Sequence, residues 1–213
     1  MALEPISPEL QELFNACAAK DGAEKLREIL AKSPDAAHWG EERKNRHIPL
    51  HAAAGNGRLE QLKMMDAAGA NLNFNTGENM TLLHLAAQGG HLEMVKWLVE
   101  KKGFDIHAID NWGYNVLHRA ACCGTCFDSS ATATVLYLLR RGARTDVIDT
   151  NGRDVLAAAR ECHIDDGRPN LADVVQKFTE DKARAQIASI GRKVRDGLGE
   201  DLSVRKPLAY KPK

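Results

Sequence analysis

Three histidines and one cluster of cysteines are the groups in this chain best suited to chemistry. His51, His84 and His118 each sit in a similar setting: Leu50-His51-Ala52-Ala53, Leu83-His84-Leu85-Ala86 and Leu117-His118-Arg119-Ala120. Imidazoles near neutrality serve as general acids, general bases or metal ligands, but only if they converge. Their spacings of 33 and 34 residues put each at the same place in a successive unit, so they occupy separate layers. The cysteines offer a stronger pattern. Cys123-Gly124-Thr125-Cys126 is a C-x-x-C, with Cys122 beside it and Cys162-His163 about forty residues on. Zinc takes four such ligands in a tetrahedron, and the ends of two stacked helices would bring Cys122 near Cys162. Against a metal stand the lack of a second C-x-x-C and the use of Cys as a small filler between helices. A redox pair would need a thioredoxin-like βαβ setting, which the pattern does not offer. Ordinary reduced thiols are the leading reading, with zinc and then redox chemistry as alternatives. Gly89-Gly90 lacks the surroundings of a phosphate loop, and no Ser/His/Asp set or carboxylate pair stands out. The expectation is a chain that is not an enzyme and needs no cofactor.

The elements that hold these residues follow from composition and period. Of 213 residues 44% are hydrophobic but only 5% aromatic, a balance that suits small, closely packed helices. Positive and negative side chains number 29 each, so no global field points to nucleic acid or membrane. The balance is uneven along the chain. Residues 182–213 carry nine Lys/Arg and three Asp/Glu, a net of +6, leaving the preceding 181 residues at −6. Five cysteines, two of them adjacent, do not form a disulfide framework, and a reducing compartment is expected. The start Met1-Ala2-Leu3-Glu4-Pro5 has neither a basic n-region nor an apolar run. No apolar stretch is long enough to cross a bilayer. Cytoplasm, or the nucleus, is the expected location.

The repeat extends well beyond the histidines. After each first helical segment comes a glycine (Gly57, Gly90, Gly124), then an amphipathic segment (Leu59–Met65, Leu92–Val99, Val135–Leu139), then a closing glycine (Gly69, Gly103, Gly142). Extended stretches follow, and Asp110-Asn111-Trp112-Gly113 and Asp149-Thr150-Asn151-Gly152 read as tight turns. Thr81, Asn115 and Asp154 occupy the N-cap position of three copies, where their oxygens accept free N–H groups of the first turn. The first copy has Ile48 there, a poor cap, followed by Pro49, which suits the first helical position. Val155-Leu156-Ala157-Ala158 is a fourth, weaker copy without the histidine. Near the N-terminus, Leu10–Lys20 and Ala23–Ala31 form two helical patterns joined at Asp21-Gly22.

This unit resembles the ankyrin repeat, a turn plus two antiparallel helices with the signature Thr-Pro-Leu-His-x-Ala. The resemblance covers about residues 8–182 and is closest over Met80–Val99. It implies an all-α solenoid of five stacked helix pairs with β-turn fingers along one edge, followed by a C-terminal helix and basic tail. The expected divisions are a capping helix pair and linker at 1–47, repeats at 48–182, and the basic segment at 183–213. The histidines would brace the turns. The resemblance also implies that the variable positions of each finger and the concave face choose a protein partner. Those positions are Lys44, Asn45 and His47 in the first copy, Gly77, Glu78 and Met80 in the second, Asn111, Trp112 and Tyr114 in the third, and Thr150, Asn151 and Arg153 in the fourth. Trp112 and Tyr114 stand out as aromatic anchors, with His47, Glu78, Met80, Asn111 and Arg153 around them. Turn positions are expected to point outward.

The basic segment has its own reading. Ala183–Val194 continues as a helix with Ile187, Ile190 and Val194 on one stripe, which could pack back on the last repeat. Beyond Gly197 the prolines Pro207 and Pro212 favour an extended chain that could clasp an acidic partner surface. A structural subunit anchored by this tail is therefore the alternative to an adaptor or scaffold that binds a protein.

Overall fold

A computed structural model describes residues 7–39, 48–122, 129–162 and 170–198. Among the described residues ten α-helices run in chain order: α1 (Pro8–Ala18), α2 (Ala23–Lys32), α3 (Pro49–Gly55), α4 (Leu59–Ala67), α5 (Leu82–Gln88), α6 (Leu92–Glu100), α7 (Val116–Cys122), α8 (Ser129–Arg140), α9 (Val155–Cys162) and α10 (Leu171–Leu198). A 3-10 turn, Pro34–His38, follows α2. The fold is an all-α solenoid of helix pairs. The chain divides into two compact units, residues 1–175 and 176–213.

The first unit is built layer on layer. Each short first helix packs on the next, α1 on α3, α3 on α5, α5 on α7 and α7 on α9, while α4 packs on α2 and α8 on α6. A seven-residue helix is marginal alone, so it persists by burying nearly every side chain. In α5, Leu82, Leu83, His84, Leu85, Ala86 and Ala87 are all buried. The alanines explain how layers come close: Ala53, Ala86, Ala120 and Ala158 recur on successive first helices and are all buried. Larger side chains, among them Leu50, Leu62, Met65, Leu83, Met94, Leu98, Leu117 and Leu138, fill the space within and between pairs. α1 and α2 contribute Leu13, Cys17 and Leu26 to the same core. The first turn of α10 contributes Leu171, Ala172 and Val175.

The expected caps form. Oγ1 of Thr81 accepts the His84 N–H at 3.3 Å, Oδ1 of Asn115 accepts that of His118 at 2.9 Å, and Oδ1 of Asp154 accepts that of Ala157 at 2.8 Å. Each is worth about 1 kcal/mol over alanine. Ile48 has no cap oxygen, and Pro49 takes the first helical position there. Gly69, Gly103 and Gly142 adopt φ of 91°, 71° and 92°, the left-handed turn expected after each second helix.

The second unit contains the remainder of α10. Ile187 and Ile190 are 69% and 53% exposed. Val194, the third member of the stripe, and the extended tail lie outside the described side chains.

Candidate functional site

The histidines are structural in the described repeats. In the first, Nδ1 of His51 accepts the Ile48 N–H at 3.0 Å, so the proton sits on Nε2, which donates to the Phe74 carbonyl at 2.8 Å. His84 repeats this, with the Thr81 N–H at 3.2 Å and the Ala108 carbonyl at 3.1 Å. Each ring ties a helix start to the extended stretch that follows the same repeat. His118 accepts the Asn115 N–H at 3.3 Å, and the Asn115 side chain, not the ring, reaches the following stretch at the Arg144 carbonyl, 2.9 Å away. Burial lowers the pKa of both His84 and His118, which favours the neutral rings that this bracing needs.

The cysteine site is only partly within view. Cys123, Cys126 and His163 lie outside the described residues, as does the side chain of Cys162. Cys122 is buried at the end of α7. Cys17 is buried too, and burial alone pushes its thiol up to about 12, the behaviour of an inert core thiol. Among the described residues no three His, Cys, Asp or Glu side chains are grouped to hold a metal.

The fingers carry the most elaborate polar construction. Aligned by repeat, they run Thr76–Thr81, Asp110–Asn115 and Asp149–Asp154. The first residue of each fastens the turn from within. Oγ1 of Thr76 accepts the Met80 N–H. Oδ1 of Asp110 accepts the N–H groups of Trp112 and Tyr114 at 2.9 and 3.0 Å. Oδ1 of Asp149 does the same for Asn151 and Arg153 at 2.8 and 2.9 Å. The second carboxylate oxygen then takes a guanidinium: Arg119 Nε at 2.7 Å on Asp110, and Arg153 Nε at 2.9 Å on Asp149. Both carboxylates are wholly buried. Such groups are tolerable only when their hydrogen bonds are met, as they are here. Burial by itself would raise the Asp149 pKa; the Arg153 N–H and guanidinium and the Asn151 N–H outweigh it and bring the value to about 2.

Successive fingers are tied to each other in register. Asn111 N–H donates to the Glu78 carbonyl at 2.9 Å, and Thr150 N–H to the Trp112 carbonyl at 3.0 Å. The fourth finger position is left-handed throughout: Asn79 at φ 60°, Gly113 at 76° and Gly152 at 77°. Gly113 is doubly constrained, because a Cβ there would lie 2.9 Å from the Asp149 Cα.

The expected partner-binding residues separate into groups on this frame. Trp112 is 55% exposed, with its backbone fixed on both sides by the bonds above. Glu78 and Asn111 are exposed beside it, and with Gly77 they line a hollow of about 380 Å³ against the indole. Thr150 and Asn151 are exposed, and Gly77 is half-buried.

The expectation of an outward side chain fails for Met80, which is only 6% exposed. At the fifth finger position of the second repeat the thioether is taken into the core. Tyr114 and Arg153 hold the equivalent position in the next two fingers and are half-buried. The Tyr114 ring stacks on His118 with centroids 5.1 Å apart and planes 3° from parallel. The Arg119 guanidinium lies 4.9 Å from its other neighbour, the ring centroid. The Tyr114 hydroxyl accepts from Arg153 Nη2 at 2.8 Å, and Arg153 Nη1 also pairs with Glu161. Tyr114 and Arg153 thus knit the third repeat to the fourth. His47, Lys44 and Asn45 lie outside the described residues.

Two exposed residues were not singled out from the sequence. Ile109 and Ile148, 48% and 55% exposed, precede the turn aspartate in consecutive fingers. Their signal was available as an Ile-Asp pair at matching places, Ile109-Asp110 and Ile148-Asp149. With Trp112 they are the exposed large apolar side chains among the described residues 7–162.

Among the described residues no helix is long and apolar enough to cross a membrane. The family model described as ankyrin repeats (3 copies) matches residues 13–110 and 50–149. A palmitoyltransferase, AKR1, of Kluyveromyces lactis is 35% identical over 133 residues, 62% of this chain and 17% of that protein. An E3 ubiquitin-protein ligase, Ufd4, of Drosophila melanogaster is 35% identical over 112 residues, 53% of this chain and 4% of that protein. Mouse Rabankyrin-5 is 28% identical over 119 residues, 56% of this chain and 10% of that protein. The chain spans under a fifth of each of these relatives, so the activities in their names belong to proteins much longer than the shared segment. The recurring helix pairs, the bracing histidines, the fastened fingers and the match over residues 13–149 place this chain in the ankyrin-repeat family, whose repeats are generally protein–protein interaction modules.

Proposed function

We propose that the chain is a non-enzymatic adaptor or scaffold that holds a protein partner along the fingers of its second to fourth repeats, with Trp112 as the central anchor. One observation carries this reading: Trp112 is an aromatic side chain that is more than half exposed on a finger tied to both neighbouring fingers, through the Asn111 N–H on one side and its own carbonyl on the other. Large aromatics presented rigidly lose little entropy on docking and recur as interface hot spots. Ile109 and Ile148 extend the apolar surface, and Glu78 and Asn111 supply polar contacts at its rim. Met80 is withdrawn from the anchor set by its burial, and Tyr114 and Arg153 act by holding the fingers in place. The thiol content fits a reducing compartment, cytoplasm or nucleus.

The test combines crosslinking with recovery of a partner from a cell extract, using the wild-type chain and Trp112→Ala. The reading expects clearly reduced recovery with an unchanged unfolding midpoint. Undiminished recovery would move the partner to another surface. The exposed Ile187 and Ile190 in α10 favour the basic C-terminal segment as that surface, and with it the reading of a structural subunit held by its tail.

A further inference from the structure

We infer that the hollow between the second and third fingers is a receptor for a single basic side chain of the partner protein, an arginine ahead of a lysine. This inference rests on the finger edge being the docking surface. The hollow is lined by Trp112, Glu78, Gly77 and Asn111, so it offers one aromatic and one acidic side chain. An indole face attracts a cation through its quadrupole, and a carboxylate alongside supplies the opposite charge. A planar guanidinium can stack on the ring and still direct N–H groups at the carboxylate, which a compact ammonium cannot do as well.

At the tips of the second to fourth fingers, residues 76–79, 110–113 and 149–152, Glu78 is the carboxylate without a cation among the described residues. Asp110 and Asp149 are buried against Arg119 and Arg153, and Asp146 is matched by Arg144. Glu78 is exposed, and its carboxylate has no ion pair or side-chain hydrogen bond among the described residues. Asn111 Nδ2, in the same lining, donates to the Gly77 carbonyl at 3.2 Å. A finger carboxylate without its own cation, next to an open indole, is complementary to a cation arriving from outside. The sequence up to residue 181 carries a net charge of −6, so the wider field also favours a basic ligand.

The hollow is formed before any ligand arrives. The Glu78 carbonyl receives the Asn111 N–H, and the Asn79 amide reaches the Ile109 carbonyl at 3.3 Å. Asn79 holds the left-handed turn position that the next two fingers give to glycine, so its side chain is available for that second tie. With both finger tips pinned, binding a side chain costs little reordering. Arg119, half-buried within the third repeat against Asp110 and the Tyr114 ring, is an internal precedent for a guanidinium held by an aromatic ring and a carboxylate.

The experiment uses the full chain labelled with nitrogen-15. The indole N–H signals of Trp39, Trp97 and Trp112 are followed, with Trp112→Phe providing the assignment. The probes are acetyl-Gly-Arg-Gly-amide and the same peptide with citrulline, a neutral isostere of arginine. The arginine peptide is expected to shift the Trp112 signal saturably, with affinity at least about fivefold above that of the citrulline peptide, and Glu78→Gln is expected to remove about the same factor. Equal affinities for the two peptides, indifference to Glu78→Gln, or shifts confined to Trp39 and Trp97 would overturn the inference. Its fate is separable from that of the docking surface. If Trp112→Ala abolishes partner recovery while Glu78→Gln changes neither recovery nor peptide affinity, the finger surface stands and the cation receptor falls. If Glu78-dependent arginine binding persists while partner recovery ignores Trp112, the receptor chemistry stands and the docking reading falls. Concentration-dependent self-association that Glu78→Gln abolishes would give the hollow to a basic segment of a second copy, against a foreign partner.

Discussion

Replacing the two aromatics that flank Gly113 tests the separation between anchor and brace. Tyr114→Ala removes three described contacts at once. The stack on His118 at 5.1 Å is worth about 0.5–1.5 kcal/mol beyond its buried area. The Arg119 contact at 4.9 Å adds about 0.5–1 kcal/mol, and the hydrogen bond from Arg153 at 2.8 Å about 1 kcal/mol. The expected loss of unfolding free energy is therefore about 2–4 kcal/mol. Trp112→Ala removes a side chain that is 55% exposed and has no stacking partner among the described rings, so its cost should stay below about 1 kcal/mol. Tyr114→Phe, which keeps the ring and loses only the hydroxyl, should fall near 1 kcal/mol. Denaturant unfolding followed by far-ultraviolet circular dichroism, with all three variants at one temperature, gives the comparison. Equal losses for Tyr114→Ala and Trp112→Ala, or an unmoved midpoint for Tyr114→Ala, would refute the assignment of Tyr114 to the frame.

Gly113→Ala combines a φ of 76° with a Cβ placed 2.9 Å from the Asp149 Cα. It should cost about 2 kcal/mol or more, whereas Asn79→Gly at the equivalent position should be within about 1 kcal/mol of wild type; similar midpoints for the two would contradict the crowding argument. Asp149, held at about 2 by the Arg153 and Asn151 N–H groups and the Arg153 guanidinium despite its burial, has a folded pKa below its unfolded one. Its contribution is thus complete above about pH 4 and lost as pH falls toward 2. An acid titration of thermal unfolding should show a smaller fall over that window in Asp149→Asn than in wild type, and an identical fall would remove Asp149 from the account.

The frame was legible in the sequence because its requirements are local and recur. An N-cap needs an oxygen, a left-handed turn needs glycine or asparagine, and a layer in contact on both sides needs alanine and leucine at fixed places. Thr81, Asn115, Asp154, Gly69, Gly103 and Gly142 therefore announced their roles, and three copies of one pattern made chance agreement implausible. The period also determined that His51, His84 and His118 lie in separate layers. What the repeat could not convey was the direction of each variable side chain. Met80, Tyr114 and Arg153 occupy one finger position, and nothing local separates a thioether that fills a gap from a phenol that stacks or a guanidinium that pairs. Their roles depend on His118, Arg119, Asp149 and Glu161, which are brought together only when the third and fourth repeats stack. Glu78 and Trp112 are 34 residues apart in the chain, and they share a hollow only because one finger's carbonyl accepts the next finger's N–H. Tertiary packing also decided which carboxylates carry their own cation. The sequence by itself determined the shape of the unit, since backbone geometry dictates it residue by residue; stacking of the units determined the surface, since that depends on which side chains meet across layers.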